Sequence, residues 1–308
     1  MAEVTAALVK ELRLKSGAGM MDCKKALDET GGDIEAAVDW LRQNGLAAAA
    51  KKSSRVAAEG LVGIATGGNS GVIVEVNAET DFVALNEQFQ EFVKTVAEIG
   101  LANDGDMAAV LESGYPGSDR TVAEQLTHNI STIGENMAVR RTAGLNIKKG
   151  QVISYLHNKV ADGLGKIGVM VALESEASDE TLATLGKHLA MHIAATSPKA
   201  LSEDDLDAKI VERERKILIE QARSTGKPEE IIMKMIEGRM RKFFEEVVLL
   251  KQISVVDGKA IISEVIEAAA KEAGTPIVLS GFIRFQLGEG IEKKTSDFAA
   301  EVKAAAGL

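Results

Sequence analysis

Gly60-Leu61-Val62-Gly63-Ile64-Ala65-Thr66-Gly67-Gly68-Asn69-Ser70-Gly71-Val72-Ile73-Val74-Glu75-Val76 is the stretch whose reading decides the fold. Two short apolar, β-branched runs, Leu61–Ala65 and Gly71–Val76, flank Gly67-Gly68-Asn69-Ser70, which is the grammar of a β-hairpin. Helical spacing follows at Phe82, Leu85, Phe89, Phe92, Val93 and Val96. The same unit recurs downstream: Val152–Leu156 and Ile167–Leu173 bracket a glycine-bearing turn, and a helix runs from about Glu180 to Ala195. Two hairpin-plus-helix units predict an α+β fold with antiparallel strands and suggest an old duplication. Met137–Leu145 and Ile277–Leu287 read as further strands, Val122, Leu126, Ile130 and Ile133 as one helical face, and Ala102–Asp119 as loose. Val255–Pro276 is helix-forming.

Upstream of this body, residues 5–45 read as three short helices. Leu8, Val9 and Leu12 form one stripe, broken at Ser16-Gly17-Ala18-Gly19. Asp22 can cap a second helix carrying Cys23, Ala26 and Leu27, and Gly31-Gly32-Asp33 starts a third with Ile34, Ala37, Val38 and Leu41. Trp40 is the one large residue available to this bundle, and Ala47–Arg55 reads as a helical or loosely ordered linker. Downstream, Ser202-Glu203-Asp204-Asp205 resembles a capping box before a charged helix that ends near Ser224. Gly226-Lys227-Pro228 makes a turn, with Pro228 suited to the first helical position, and Ile232, Met235, Ile236, Phe243 and Val247 share one side of the next helix. An antiparallel helical hairpin inserted in the body is the reading; two ordinary core helices are the alternative. The expected division is a bundle at 1–50, a linker at 51–59 and a first core subdomain at 60–146. A second subdomain comprises 147–201 and 250–292, with the hairpin at 202–249 and a carboxyl-terminal module at 293–308.

The composition narrows the function classes. Of 308 residues 45% are hydrophobic, enough for sizeable cores, and the formal net charge is -10. An acidic balance disfavours a nucleic-acid binder, which needs a basic face; with 4% aromatic residues stacking platforms are scarce, and no local basic patch dominates. Cys23 is the only cysteine, which excludes a disulfide-built fold. Neither a signal peptide nor a run long enough to cross a bilayer is legible, so a soluble cytoplasmic protein is expected.

Several look-alikes of catalytic motifs fail on context. Gly163-Leu164-Gly165-Lys166-Ile167-Gly168 matches G-x-G-x-x-G, but the strand pattern Val169–Leu173 follows it where a dinucleotide fingerprint needs a helix. Thr225-Gly226-Lys227 runs into Pro228, without the upstream glycine of a phosphate loop. His188 and His192 share a helical face, yet Leu189 stands where a zinc protease carries its glutamate base, so packing or surface roles are expected. No G-x-S-x-G elbow occurs, and Cys23 has only Lys24 and Lys25 beside it. The expectation is a non-enzyme with no cofactor and no metal of its own.

Two stretches carry a family resemblance. Leu12-Arg13-Leu14-Lys15-Ser16-Gly17-Ala18-Gly19-Met20-Met21-Asp22-Cys23-Lys24-Lys25-Ala26-Leu27 and Glu75-Val76-Asn77-Ala78-Glu79-Thr80-Asp81-Phe82-Val83 resemble, in order, the two diagnostic segments of the elongation factor Ts family. Ile133-Gly134-Glu135-Asn136 before Arg140-Arg141, and Gly281-Phe282-Ile283-Arg284-Phe285, are similar to it as well. The resemblance implies a guanine nucleotide exchange factor whose partner is elongation factor Tu in its GDP-bound and nucleotide-free forms. It implies a bundle like a ubiquitin-associated domain, contacting the partner through Arg13, Met20 and Met21, and a coiled-coil hairpin that also offers a route to a homodimer. Ile133, Gly134 and His157 are further partner contacts on this reading. Thr80, Asp81, Phe82 and Val83 would intrude beside the partner's magnesium site. Periodicity alone puts Phe82 in the core with Leu85, Phe89 and Phe92; only the resemblance assigns it to the partner. Ser296-Asp297-Phe298 echoes Thr80-Asp81-Phe82, and the resemblance separates the two. The rival readings are an adaptor or chaperone-like scaffold and an RNA-binding translation factor, the latter opposed by the charge.

Overall fold

The computed structural model describes residues 4–224 and 226–292. The expected carboxyl-terminal module at 293–308, with Phe298, and Thr225 lie outside the described residues.

Strands β1 (Glu59–Gly67) and β2 (Ser70–Ala78) pair antiparallel up to Gly67↔Ser70, and Gly68, at φ 67°, supplies the left-handed backbone that the reversal needs. β3 (Met137–Asn146) lines β2. A second antiparallel sheet forms from β4 (Gly150–His157), β6 (Ile167–Ser175) and β7 (Ile277–Gln286) in the order β4-β6-β7. The glycine-bearing segment between β4 and β6 does more than turn. Its Leu164–Gly165 forms a short strand, β5, that crosses over and pairs with β1, completing a first sheet of order β3-β2-β1-β5.

Both sheets are buried on both faces. Val62, Ile73, Val152, Met170 and Phe285 fill the space between them. On the far side of the first sheet, Leu61, Val72, Val74 and Val76 pack under α4 (Glu87–Ala102) and α6 (Val122–Ile133). On the far side of the second, Val169, Val171 and Leu173 pack under α7 (Asp179–Thr196) and α10 (Ile262–Ala273). Double coverage is why the strands read as continuous apolar runs rather than as apolar/polar alternation. The sheets approach closely: a Cβ on Gly168 would come within 2.8 Å of Ile73 Cδ1 and Val62 Cγ1.

Glu75 is fully buried on β2 and belongs to an ion cluster. Arg140 Nη1 and Arg141 Nε lie 3.0 and 2.6 Å from its oxygens, and the Gly288 N–H donates to it at 2.8 Å. Arg141 also donates to the Gln286 carbonyl at 3.0 Å and stacks 4.1 Å over the Phe285 ring, so the cluster fastens the end of β7 to the first sheet. Burial works against the Glu75 charge, but the hydrogen bonds from Gly288, Arg141 and Asn77 outweigh it and hold the carboxyl below its usual range.

At the amino end, α1 (Ala6–Ser16), α2 (Met20–Glu29) and α3 (Ile34–Lys52) enclose Leu12, Cys23, Ala26, Leu27 and Ala37. Trp40 is half-buried there, with Lys25 Nζ 5.7 Å from its ring. Gly19, not Asp22, occupies the cap of α2; Asp22 sits in the first turn. The Ala47–Lys52 stretch is helical, continuing α3, and α3 docks on α6. Arg42 pairs with Glu124 at 2.5 Å, Ala49 packs against the core of the first sheet, and Lys52 Nζ donates to the Ile130 carbonyl at 3.3 Å.

The hairpin consists of α8 (Ala208–Arg223) and α9 (Glu229–Val247). Leu218 and Ala222 meet Ile232 and Ile236 toward the tip, while Val211 meets Phe243 and Phe244 toward the base, so the helices run antiparallel. Its base is stitched to the body by Lys199 N–H donating to the Val247 carbonyl, at 2.8 Å, and by Leu249 N–H donating to Ala200, at 2.9 Å. Asp207 caps α8, because Ser202 instead turns its N–H and hydroxyl onto Asp205, at 3.0 and 2.6 Å. Pro228 flanks α9 one residue before its first helical position. Within the stretch expected to be loose, Met107–Glu112 forms α5 under an Asp106 cap. No helix among the described residues is long and apolar enough to cross a membrane.

Candidate functional site: a clamped phenylalanine ledge

β2 ends at Ala78, and α4 begins only at Glu87, where Asn86 accepts the Phe89 N–H at 3.0 Å. Between them, Val83–Leu85 forms a single 3₁₀ turn. That turn breaks the helical register counted back from Phe89. Val83 and Ala84 point into the core, whereas Phe82 is 77% and Leu85 69% exposed. The core position that periodicity gives Phe82 and Leu85 is therefore wrong; Phe89, Phe92, Val93 and Val96 are buried as expected.

The turn that follows α6 lies against this segment. Gly134 ends α6 at φ 92°, a conformation suited to glycine, and aims Glu135 and Asn136 back at residues 79–80. Glu135 accepts the Thr80 N–H on one oxygen at 2.9 Å and the Thr80 hydroxyl on the other at 2.6 Å. Glu79 accepts the Asn136 N–H at 2.5 Å, and the Asn136 amide donates to the Arg55 carbonyl at 2.7 Å. Thr80–Val83 and Ile133–Gly134 thus form one ledge, with Ile133 half-buried and Asp81, Phe82 and Gly134 exposed.

The other expected contact residues are dispersed. Met20 and Met21, at the start of α2, are 62% and 77% exposed, and Leu14 and Arg13 on α1 are exposed as well. The bundle that carries them docks on α6, the helix that leads into the ledge. A Cβ on Gly17, which ends α1, would lie 3.4 Å from His128 Nε2 on α6. Burial, and then the Arg120 charge, push His128 down to about 4. His157 is exposed at the end of β4 in the second sheet, with the Tyr155 hydroxyl 3.2 Å from its Nδ1. His188 and His192 turn toward the 252–255 segment. His192 Nδ1 accepts the Val255 N–H at 3.2 Å and its Nε2 faces Gln252 at 2.8 Å, while His188 Nε2 is 2.7 Å from the Ser254 hydroxyl. Sequence reasoning missed exposed Leu85 and the carboxylates of Glu79 and Glu135; the Asn86-Glu87 start signal for α4 is the one local clue it could have used.

An aromatic side chain left in solvent beside a segment fixed by two carboxylates suits an anchor for another macromolecule, because large exposed aromatics are common at the centres of interfaces. The family model described as Elongation factor TS matches residues 79–289. Elongation factor Ts of Rhodospirillum rubrum is 61% identical over 305 residues, 99% of each chain. That of Rhodospirillum centenum is 60% identical over 307 residues, and that of Sphingopyxis alaskensis 60% over 309, each covering both chains in full. The chain belongs to the elongation factor Ts family, the nucleotide exchange factors of translation elongation.

Proposed function

We propose that this protein binds elongation factor Tu carrying GDP and promotes GDP release by pressing Phe82, with Thr80, Asp81 and Val83, beside the partner's Mg²⁺ and phosphate site. The observation that carries the reading is Phe82, 77% exposed between Thr80, which is tied to Glu135, and Val83 and Ala84, which are buried. Mg²⁺ neutralises phosphate oxygens, so disturbing its ligands leaves a polyanion poorly held. A binder that prefers the nucleotide-free partner weakens nucleotide binding by the same factor, so no catalytic group is required. Burying one phenylalanine supplies only about 1.5–3 kcal/mol. Further contacts therefore come from Arg13, Met20 and Met21 on a bundle we read as like a ubiquitin-associated domain, and from Ile133, Gly134 and His157. The protein acts in the cytoplasm, and its hairpin, read as a coiled coil, is a route to a homodimer. The sequence division at 1–50, 51–59, 60–146, 147–201 with 250–292, 202–249 and 293–308 is kept as our reading of its domains.

Elongation factor Tu loaded with fluorescent GDP tests this: adding the protein should accelerate loss of signal in the presence of excess GTP. Unchanged release would favour the adaptor or scaffold reading.

A further inference from the structure

We infer that Glu135, with Glu79 as its counterpart, is a positioning residue for Phe82: it fixes the 79–82 segment before the partner arrives. The role in exchange rests on the function proposed above; the clamp itself does not. Residues 79–82 belong to neither β2 nor the 3₁₀ turn, and the turn's own bonds, Ala84 N–H to Asp81 and Leu85 N–H to Phe82, begin only at Asp81. Upstream of them, Thr80 is tied by Glu135 through both its N–H and its hydroxyl. The two donors of Thr80 are met here by the two oxygens of one carboxylate, one each, an arrangement that an amide with its single oxygen cannot reproduce. The tie is reciprocal, because Glu79, the residue before Thr80, accepts the N–H of Asn136, the residue after Glu135. Each segment lends a carboxylate to the other's backbone, so neither can shift without releasing both bonds. Arg55 Nη1, 3.4 Å from Glu79, and the Arg55 carbonyl taken by Asn136 close the ring. A loop fixed in its bound shape loses less conformational freedom on association, which is how a residue that need not touch the partner raises activity.

The test uses the full-length protein and two readouts. In hydrogen exchange on the free protein, Glu135→Ala should lower protection of the Thr80 amide about tenfold or more, leaving the β1–β2 amides unchanged. In fluorescent-GDP release from elongation factor Tu, Glu135→Ala should slow stimulated exchange about tenfold, and Glu135→Gln, which keeps one acceptor, should fall between it and wild type. In a Phe82→Ala background the same change should cost less than about twofold, because the residue acts through Phe82. Thr80→Val, which keeps the N–H bond and removes the hydroxyl bond, should reproduce part of the loss and serves if Glu135→Ala fails to fold. Unchanged Thr80 protection in Glu135→Ala would overturn the clamp, as would wild-type stimulated release by Thr80→Val where Glu135→Ala does not fold. Equal penalties with and without Phe82 would overturn its positioning role. A wild-type protein that fails to stimulate release would refute the proposed function, while the exchange of the Thr80 amide would still decide the clamp.

Discussion

Phe82 stays in solvent because Val83 and Ala84 are drawn inward on one side and Thr80 is tied down on the other. A side chain 77% exposed contributes little to folding, so Phe82→Ala should change thermal stability by no more than about 0.5 kcal/mol. Stimulated GDP release should slow about ten- to a hundredfold. If the ring acts by disturbing the metal, the penalty should be smallest after EDTA has stripped Mg²⁺ from the partner; an equal penalty would sink the metal route. Much of this residue was legible and much was not. The tetrad was recognisable from resemblance, whereas helical spacing pointed to the core, since Leu85, Phe89 and Phe92 continue the stripe. What spacing could not convey is that Asn86 restarts the register. Nor could it place Glu135 against Thr80, a contact 55 residues apart in sequence.

Among the elements, the hairpin has its own core around Leu218, Ile232 and Ile236, and a separate base around Val211, Phe243 and Phe244. Replacing residues 213–241 with a short loop should leave a single cooperative unfolding transition, because closing a short loop costs little chain entropy. Loss of cooperativity in calorimetry would show these helices to be core. Helix α6 makes a second prediction, since His128 sits under Gly17 with a folded value near 4 against 6.5 for the free group. The unfolded chain then binds the extra proton first. The contribution of His128 is complete above pH 6.5 and is lost as pH falls toward about 4. His192 is depressed as well, chiefly by burial, so its contribution too is lost as pH falls below the ordinary histidine range. Melting temperatures between pH 6.5 and about 4 should fall less steeply in His128→Asn than in wild type; parallel curves would refute the assignment. Helix positions were mostly readable, and Asp33 caps α3 as its segment indicates, whereas the caps of α2 and α8 were not. Asp22 and Ser202 have the same local chemistry as Asp207, but Asp22 falls inside the first turn of α2 and Ser202 is taken by Asp205, three residues on.

The body is a stack of helices, sheet, sheet and helices, flanked by the bundle and the hairpin, and Glu75 ties its two sheets together. Its folded carboxyl titrates below the ordinary 4.5, so the stability it supplies is present above that value and is lost as pH falls through the folded one. Glu75→Gln leaves Arg140 and Arg141 without their buried counter-charge and should cost about 3–5 kcal/mol, measured by urea unfolding at neutral pH. A loss below about 1 kcal/mol would show that solvent or Glu289 neutralises the arginines adequately. At this scale the antiparallel α+β class followed from the two hairpin-plus-helix units. The crossing of Leu164–Gly165 to β1 did not, because a two-residue strand leaves no period to read.

Trp40 is the only tryptophan of the chain, while both tyrosines, Tyr115 and Tyr155, belong to the body. Its half-buried indole, with the Lys25 ammonium above it, makes the bundle a native fluorophore whose emission is insensitive to tyrosine when excited selectively. Any event that wets or dries that ring, whether the seating of a partner against α2 or the loosening of α3 from α6, becomes a spectral shift. The chain therefore carries an intrinsic optical reporter for one of its parts, and its time course can be followed without attaching a dye.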